Sequence, residues 1–144
     1  MGIFLFLFCL MIQKPNYCSC VPLGSIDDKQ YNQYNLIAKG KVTKVTIHDF
    51  ERTIYLTVDT YYKGGGDQTQ IKITTPKQEG ECGIIPKVGE SWLMFTYTNG
   101  SDYRTELCTR TKNMNPKAWN YNKSEITEDI KFLETKATNN SLLT

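Results

Sequence analysis

A chain of 144 residues, 40% hydrophobic and 22% charged, with a mean hydropathy of -0.44, has room for one small soluble domain and excludes a multi-domain enzyme. The formal net charge of +2 falls to near +1 once residues 1–17 are set aside, because they carry Lys14 and no acid. A field that weak singles out neither nucleic acid nor an anionic membrane as the main partner. At this length roughly two-thirds of the unfolded surface can be buried, so a cross-link adds noticeably to a thin core.

The first segment, residues 3–12, reads IFLFLFCLMI. An unbroken apolar run of this length is too short to span a bilayer as a helix and matches the core of a secretory signal. Residues 1–17 are therefore expected to be a signal peptide. The mature chain is expected to be secreted, into an extracellular or periplasmic space, without stable membrane insertion. With Cys9 in the signal, Cys18, Cys20, Cys82 and Cys108 remain. An even set in an exported chain reads as two disulfides. Cys18 and Cys20 are two apart and point to one side of an extended segment, where no relaxed bridge joins them, so each should reach a distant partner. A zinc site of the chain's own is not expected, since the one histidine, His48, stands among Ile47, Asp49 and Phe50 without a second ligand at metal spacing.

Strands follow in order. Residues 36–47 (LIAKGKVTKVTI) and 53–62 (TIYLTVDTYY) are rich in β-branched and aromatic residues, with Ile54, Leu56 and Val58 on one face and Tyr55, Thr57 and Asp59 on the other. Residues 48–52 make the hairpin between them. The run Gly64-Gly65-Gly66-Asp67 is a turn, Thr69 to Thr75 a third strand with Ile71 and Ile73 inward, and Pro76 its stop. A fourth strand covers residues 91–98, turns at Asn99-Gly100, and a fifth returns over residues 103–111. Helical periodicity comes last: Asn122 and Glu125 form a capping pair ahead of an apolar stripe of Ile126, Ile130 and Leu133. A short helix fits between Asp27 and Tyr34. Residues 135–144 read as a polar, frayed tail.

Five strands with short turns and a terminal helix suit a mainly β fold, a five-stranded OB-like barrel with a C-terminal helix, because closure removes exposed sheet edges. A β-sandwich is the alternative. No enzyme is expected. No nucleophile motif accompanies His48, and the carboxylates Glu79 and Glu81, like Asp27 and Asp28, read as solvated charges or a helix cap. Tyr55, Tyr61, Tyr97 and Tyr103 with Lys44, Lys63 and Arg104 offer the elements of a stacking groove, but export, disulfides and near-neutral charge argue against nucleic acid.

Several of these residues also resemble a known family. Cys18-Ser19-Cys20-Val21-Pro22, Tyr62-Lys63-Gly64, Cys82-Gly83 and Leu107-Cys108 with Trp119 downstream are similar, in order and spacing, to the netrin-like module. Within it, they resemble the N-terminal inhibitory domain of the tissue inhibitors of metalloproteinases. The resemblance covers nearly all of residues 18–120. It implies a netrin-like domain over residues 18–134 and the disulfides Cys18–Cys82 and Cys20–Cys108. It also implies a role, the secreted inhibition of zinc metalloproteases in trans. The α-amine and carbonyl of Cys18 would chelate the partner's catalytic zinc, which a neutral α-amine can do because it titrates close to neutral pH. Ser19 would enter the specificity pocket, Cys20, Val21 and Pro22 would continue along the cleft, and Gly80, Glu81 and Cys82 would flank it. No cofactor or metal of its own is implied, and a monomer is expected. A netrin-like protein-binding module without protease inhibition is the second reading.

Overall fold

The strands form where apolar and polar residues alternate, and the computed structural model, which describes residues 17–141, places them as β1 (Leu36–Ile47), β2 (Glu51–Lys63), β3 (Gln70–Pro76), β4 (Ser91–Asn99), β5 (Asp102–Arg104) and β6 (Lys112–Asn113). Two helices flank them, α1 (Asp28–Gln33) and α2 (Lys123–Ser141). The signal assigned to residues 1–17 lies outside the described residues except for Tyr17. Among the described residues no helix is long and apolar enough to cross a membrane.

All six strands belong to one mixed sheet, so the two stacked sheets of a sandwich are not what these residues form. β1 pairs antiparallel with β2, β2 with β3, and β4 with β5, while β3 and β5 run parallel through Ile73 and Tyr103. The free edge of β1 then pairs with β4, from Leu36 opposite Thr96 to Lys41 opposite Ser91, and the five strands ring back on themselves. Three register shifts along its pairing with β2 bend β1, which helps the ring to close. Gly40 sits at one of them, where an added Cβ would lie 2.2 Å from the carbonyl oxygen of Thr57. Only glycine permits that approach.

Apolar residues cluster in two places. One cluster gathers Leu36, Val42, Ile54, Leu56, Ile73 and Met94 from the four long strands. The second joins Ile37, Leu93 and Phe95 to Ile26, Tyr31 and Tyr34 around α1 and to Leu133 of α2. β4 feeds both clusters, Met94 one and Leu93 and Phe95 the other, which is why residues 92–95 are uninterruptedly apolar and buried. Ile71 and Ile73 point inward as the alternation predicts, and Val58 packs on the first cluster while staying half-exposed.

Three expectations change. The fifth strand is Asp102–Arg104 alone, because the threonines after it bond through their side chains instead of a ladder. Thr105 Oγ1, buried, donates to the Phe95 carbonyl at 3.0 Å and lies 2.7 Å from Thr111 Oγ1. Pro76 is the last residue of β3 rather than the residue beyond it. Finally, α2 runs through Ser141, so residues 135–141 of the polar tail are helical; Lys136 reaches Asp28 of α1 at 2.5 Å.

Candidate functional site

Residues 17–25 form neither strand nor helix and, apart from half-buried Cys18, lie exposed along the surface. With no burial to order them, they are held covalently. Cys18 is bridged to Cys82 and Cys20 to Cys108, each with Cα atoms 5.1 Å apart. The pairing implied by the resemblance is thus the pairing present.

The two anchoring loops are themselves stiff. Glu79–Glu81 forms a single 3-10 turn closed by Cys82, whose N–H donates to the Glu79 carbonyl at 2.9 Å and whose φ of +65° is left-handed, rare for a residue with a side chain. Gly83 follows, its N–H donating to Gln78 at 2.9 Å. An added Cβ there would meet the Pro76 carbonyl oxygen at 2.0 Å, which explains the Cys-Gly dipeptide. The Cys82 carbonyl accepts from Leu107 N–H at 2.7 Å, so the loops carrying Cys82 and Cys108 are tied to each other. The bridges touch: Cys18 Sγ and Cys108 Sγ are 3.6 Å apart, and the sulfurs of Cys18, Cys82 and Cys108 all lie within 4.8 Å. These sulfurs are spent in S–S bonds rather than open as metal ligands.

Beside Cys18 opens a cleft of about 900 Å³ whose walls include Tyr17, Gly80, Glu81, Ile85, Leu107 and Trp119. The structure therefore brings Cys18, Gly80 and Glu81 together along one cleft. Ser19, Cys20 and Val21 are exposed, Val21 to 81%, and Pro22 lines a second depression with Leu23, Arg110 and Lys112. Trp119, noticed only as a family marker, is 83% exposed on the cleft rim. Arg52 also lines the cleft, with Nη2 donating to the Lys77 carbonyl at 3.0 Å.

Sequence reading missed one group altogether. Asp129 of α2 is fully buried and takes two hydrogen bonds from Arg110, 3% exposed, at 2.6 Å from Nη2 and 3.4 Å from Nε. Arg110 Nη1 also donates to Gly24 O at 2.9 Å and to Gln30 Oε1 at 2.6 Å, and Lys112 Nζ reaches Asp129 at 3.4 Å. One buried guanidinium thus joins α2 to α1 and to the downstream end of the exposed segment. A signal was present: Asp129 lies three residues after Ile126 and four before Leu133, on the apolar stripe itself.

The remaining candidates are structural. His48 is exposed in the β1–β2 hairpin, 3.4 Å from Thr46 Oγ1, and Asp27 caps α1 by accepting from Gln30 N–H at 2.8 Å. Tyr61 donates to the Gln68 carbonyl at 2.7 Å and Tyr97 to Glu106 at 2.9 Å, tying both rings down. Burial holds the Tyr34 hydroxyl above the usual tyrosine range, against the opposing pull of the Arg110 N–H, which donates to it at 3.2 Å. Set against known proteins, the chain matches no protein-family model and no curated protein.

Proposed function

We propose that the chain is a secreted netrin-like module that inhibits zinc metalloproteases, with the α-amine and carbonyl of Cys18 as ligands to the partner's catalytic zinc. The observation that carries this reading is the doubly bridged, solvent-lying segment that sets Cys18 at a cleft wall beside Gly80 and Glu81. The strand ring, with its parallel β3–β5 closure, supports an OB-like barrel as the platform.

The chemistry follows from the placement. A bidentate amine and carbonyl displace the water that a metalloprotease uses as its nucleophile. Stiffness matters because each bond rotation frozen on binding costs affinity, and the bridges have already frozen this segment. Ser19 enters the specificity pocket, Val21 and Pro22 extend the contact, and Gly80 and Glu81 meet the opposite side. The zinc belongs to the protease.

The mechanism demands that Cys18 be the first residue of the mature chain, so that its nitrogen is an amine and not an amide. Terminal sequencing or intact mass of the secreted protein reads this directly. Inhibition of a susceptible metalloprotease should then collapse when one alanine precedes Cys18 and weaken sharply with Ser19→Gly. Unchanged potency in the extended chain removes the chelation reading. The second reading is a netrin-like binding module without inhibition: a mature chain that keeps Tyr17, which lines the same cleft as Cys18, has no free amine there.

A further inference from the structure

The two bridges are not independent of each other. Cys18 Sγ and Cys108 Sγ, which belong to different bonds, are 3.6 Å apart, in van der Waals contact, and Cys82 Sγ completes a group of three sulfurs within 4.8 Å. The fourth sulfur belongs to Cys20, the one exposed residue of the set. Cys82, the partner of Cys18, sits in a left-handed backbone conformation that a side-chain-bearing residue rarely adopts. From this juxtaposition we infer that the bridges act as one thiol-exchange unit, in which opening the Cys20–Cys108 bond moves Cys18 from Cys82 to Cys108. This inference does not depend on protease inhibition.

The steps balance without a net oxidant or reductant. A small monothiol such as glutathione, as its thiolate, attacks Cys20 Sγ, the sulfur carried by the exposed residue of the set, forming a mixed disulfide and releasing the Cys108 thiolate. Freed from Cys20, that thiolate turns from its side-on contact into line with the Cys18–Cys82 bond and attacks Cys18 Sγ; the Cys18–Cys108 bond forms, the Cys18–Cys82 bond breaks, and Cys82 leaves as a thiolate that takes a proton from water. Opening the other bond first leads to the same bridge, because a freed Cys18 thiolate faces Cys108. In the product, Cys18 is tethered to Cys108 instead of Cys82, while the loop of residues 79–82 keeps only its backbone bonds, among them Leu107 N–H to the Cys82 carbonyl at 2.7 Å. The exposed segment thus keeps its anchor and loses its covalent link to that loop.

The test is limited exposure of the folded, full chain to glutathione, after alkylation of any thiol already free, followed by acid quench, a second alkylating label and mapping of linked peptides by mass. The expected map links Cys18 to Cys108, places the second label on Cys82 and leaves glutathione on Cys20. A map holding only Cys18–Cys82, Cys20–Cys108 and fully opened cysteines overturns the inference. So do bridges that resist glutathione until the fold is lost. Cys20→Ser gives a second measurement needing no added thiol. It leaves Cys108 free beside Cys18, so a share of the folded variant, checked by circular dichroism, should carry Cys18–Cys108 with Cys82 as the labelled thiol. A variant holding only Cys18–Cys82 at equilibrium also overturns it.

Discussion

The two ends of the described chain are fastened by opposite means. Residues 17–25, exposed apart from half-buried Cys18, contribute nothing to either apolar cluster until Ile26; two covalent bridges hold them, and at their downstream end the carbonyls of Leu23 and Gly24 accept from Gln30 and Arg110. Helix α2 has no cysteine and is seated instead by buried Ile126 and Leu133 and by the Arg110–Asp129 pair. A segment that keeps its side chains in water gains no order from the hydrophobic effect, so cross-links, helped by hydrogen bonds to backbone carbonyls at its downstream end, hold it still. A helix that buries a stripe needs no such bond. The difference teaches that rigidity and burial are separable here, and that the rigid exposed part is the one fit for recognition.

Breaking the burial-held end should have the largest effect. Asp129→Ala leaves the Arg110 guanidinium buried without its carboxylate, and should cost about 4 kcal/mol in a denaturant titration while both disulfides still map to their native partners. Breaking the bridge-held end comes next: Cys20→Ala with Cys108→Ala opens a bridge spanning 88 residues. It should cost about 3 kcal/mol, with faster proteolysis of residues 17–25 and unaltered amide protection in α2. Equal loss of protection at both ends would erase the contrast drawn above. Asn122→Ala removes the cap whose Oδ1 accepts from Glu125 N–H at 3.2 Å, and should cost about 1 kcal/mol, confined to the first turn of α2.

The smallest effect near neutral pH, and a growing one above it, concerns the tyrosines at the burial-held end. Burial raises the hydroxyls of Tyr31, Tyr34 and Tyr62 above the ordinary value. A folded value above the unfolded one means that the stability from the neutral phenols is whole below the unfolded value of about 10 and is lost as pH rises through the folded values. Denaturant midpoints should stay flat on this account up to that range and fall beyond it, in step with tyrosinate absorbance.

Much of the fold was legible because it depends on local pattern. The period of two fixed β1 at residues 36–47 and the inward set Ile54, Leu56 and Ile73, and the Asn122–Glu125 spacing marked the start of α2. What stayed hidden depends on neighbours distant in sequence. Nothing local says that Thr105 will spend its hydroxyl on Phe95 rather than prolong a strand, or that the carbonyl of Thr57 will press against Gly40. Of the candidate site, the spacing of Cys18 and Cys20 showed only that each reaches a separate partner, and the pairing itself was legible only through the netrin-like resemblance. The clustering of three sulfurs was not, because it arises only when the exposed segment and the loops of residues 78–83 and 105–109 meet.

One consequence of the cleft rim is practical. The chain has two tryptophans of opposite surroundings: Trp92 is buried, with its indole N–H donating to Glu90 at 3.0 Å, while Trp119 stands in water at the cleft edge. Their emissions should therefore be separable, one shielded and blue-shifted, the other red-shifted and open to quenching by iodide. Any molecule that settles beside Cys18 will shade the second and spare the first, so the domain carries its own optical gauge of occupancy.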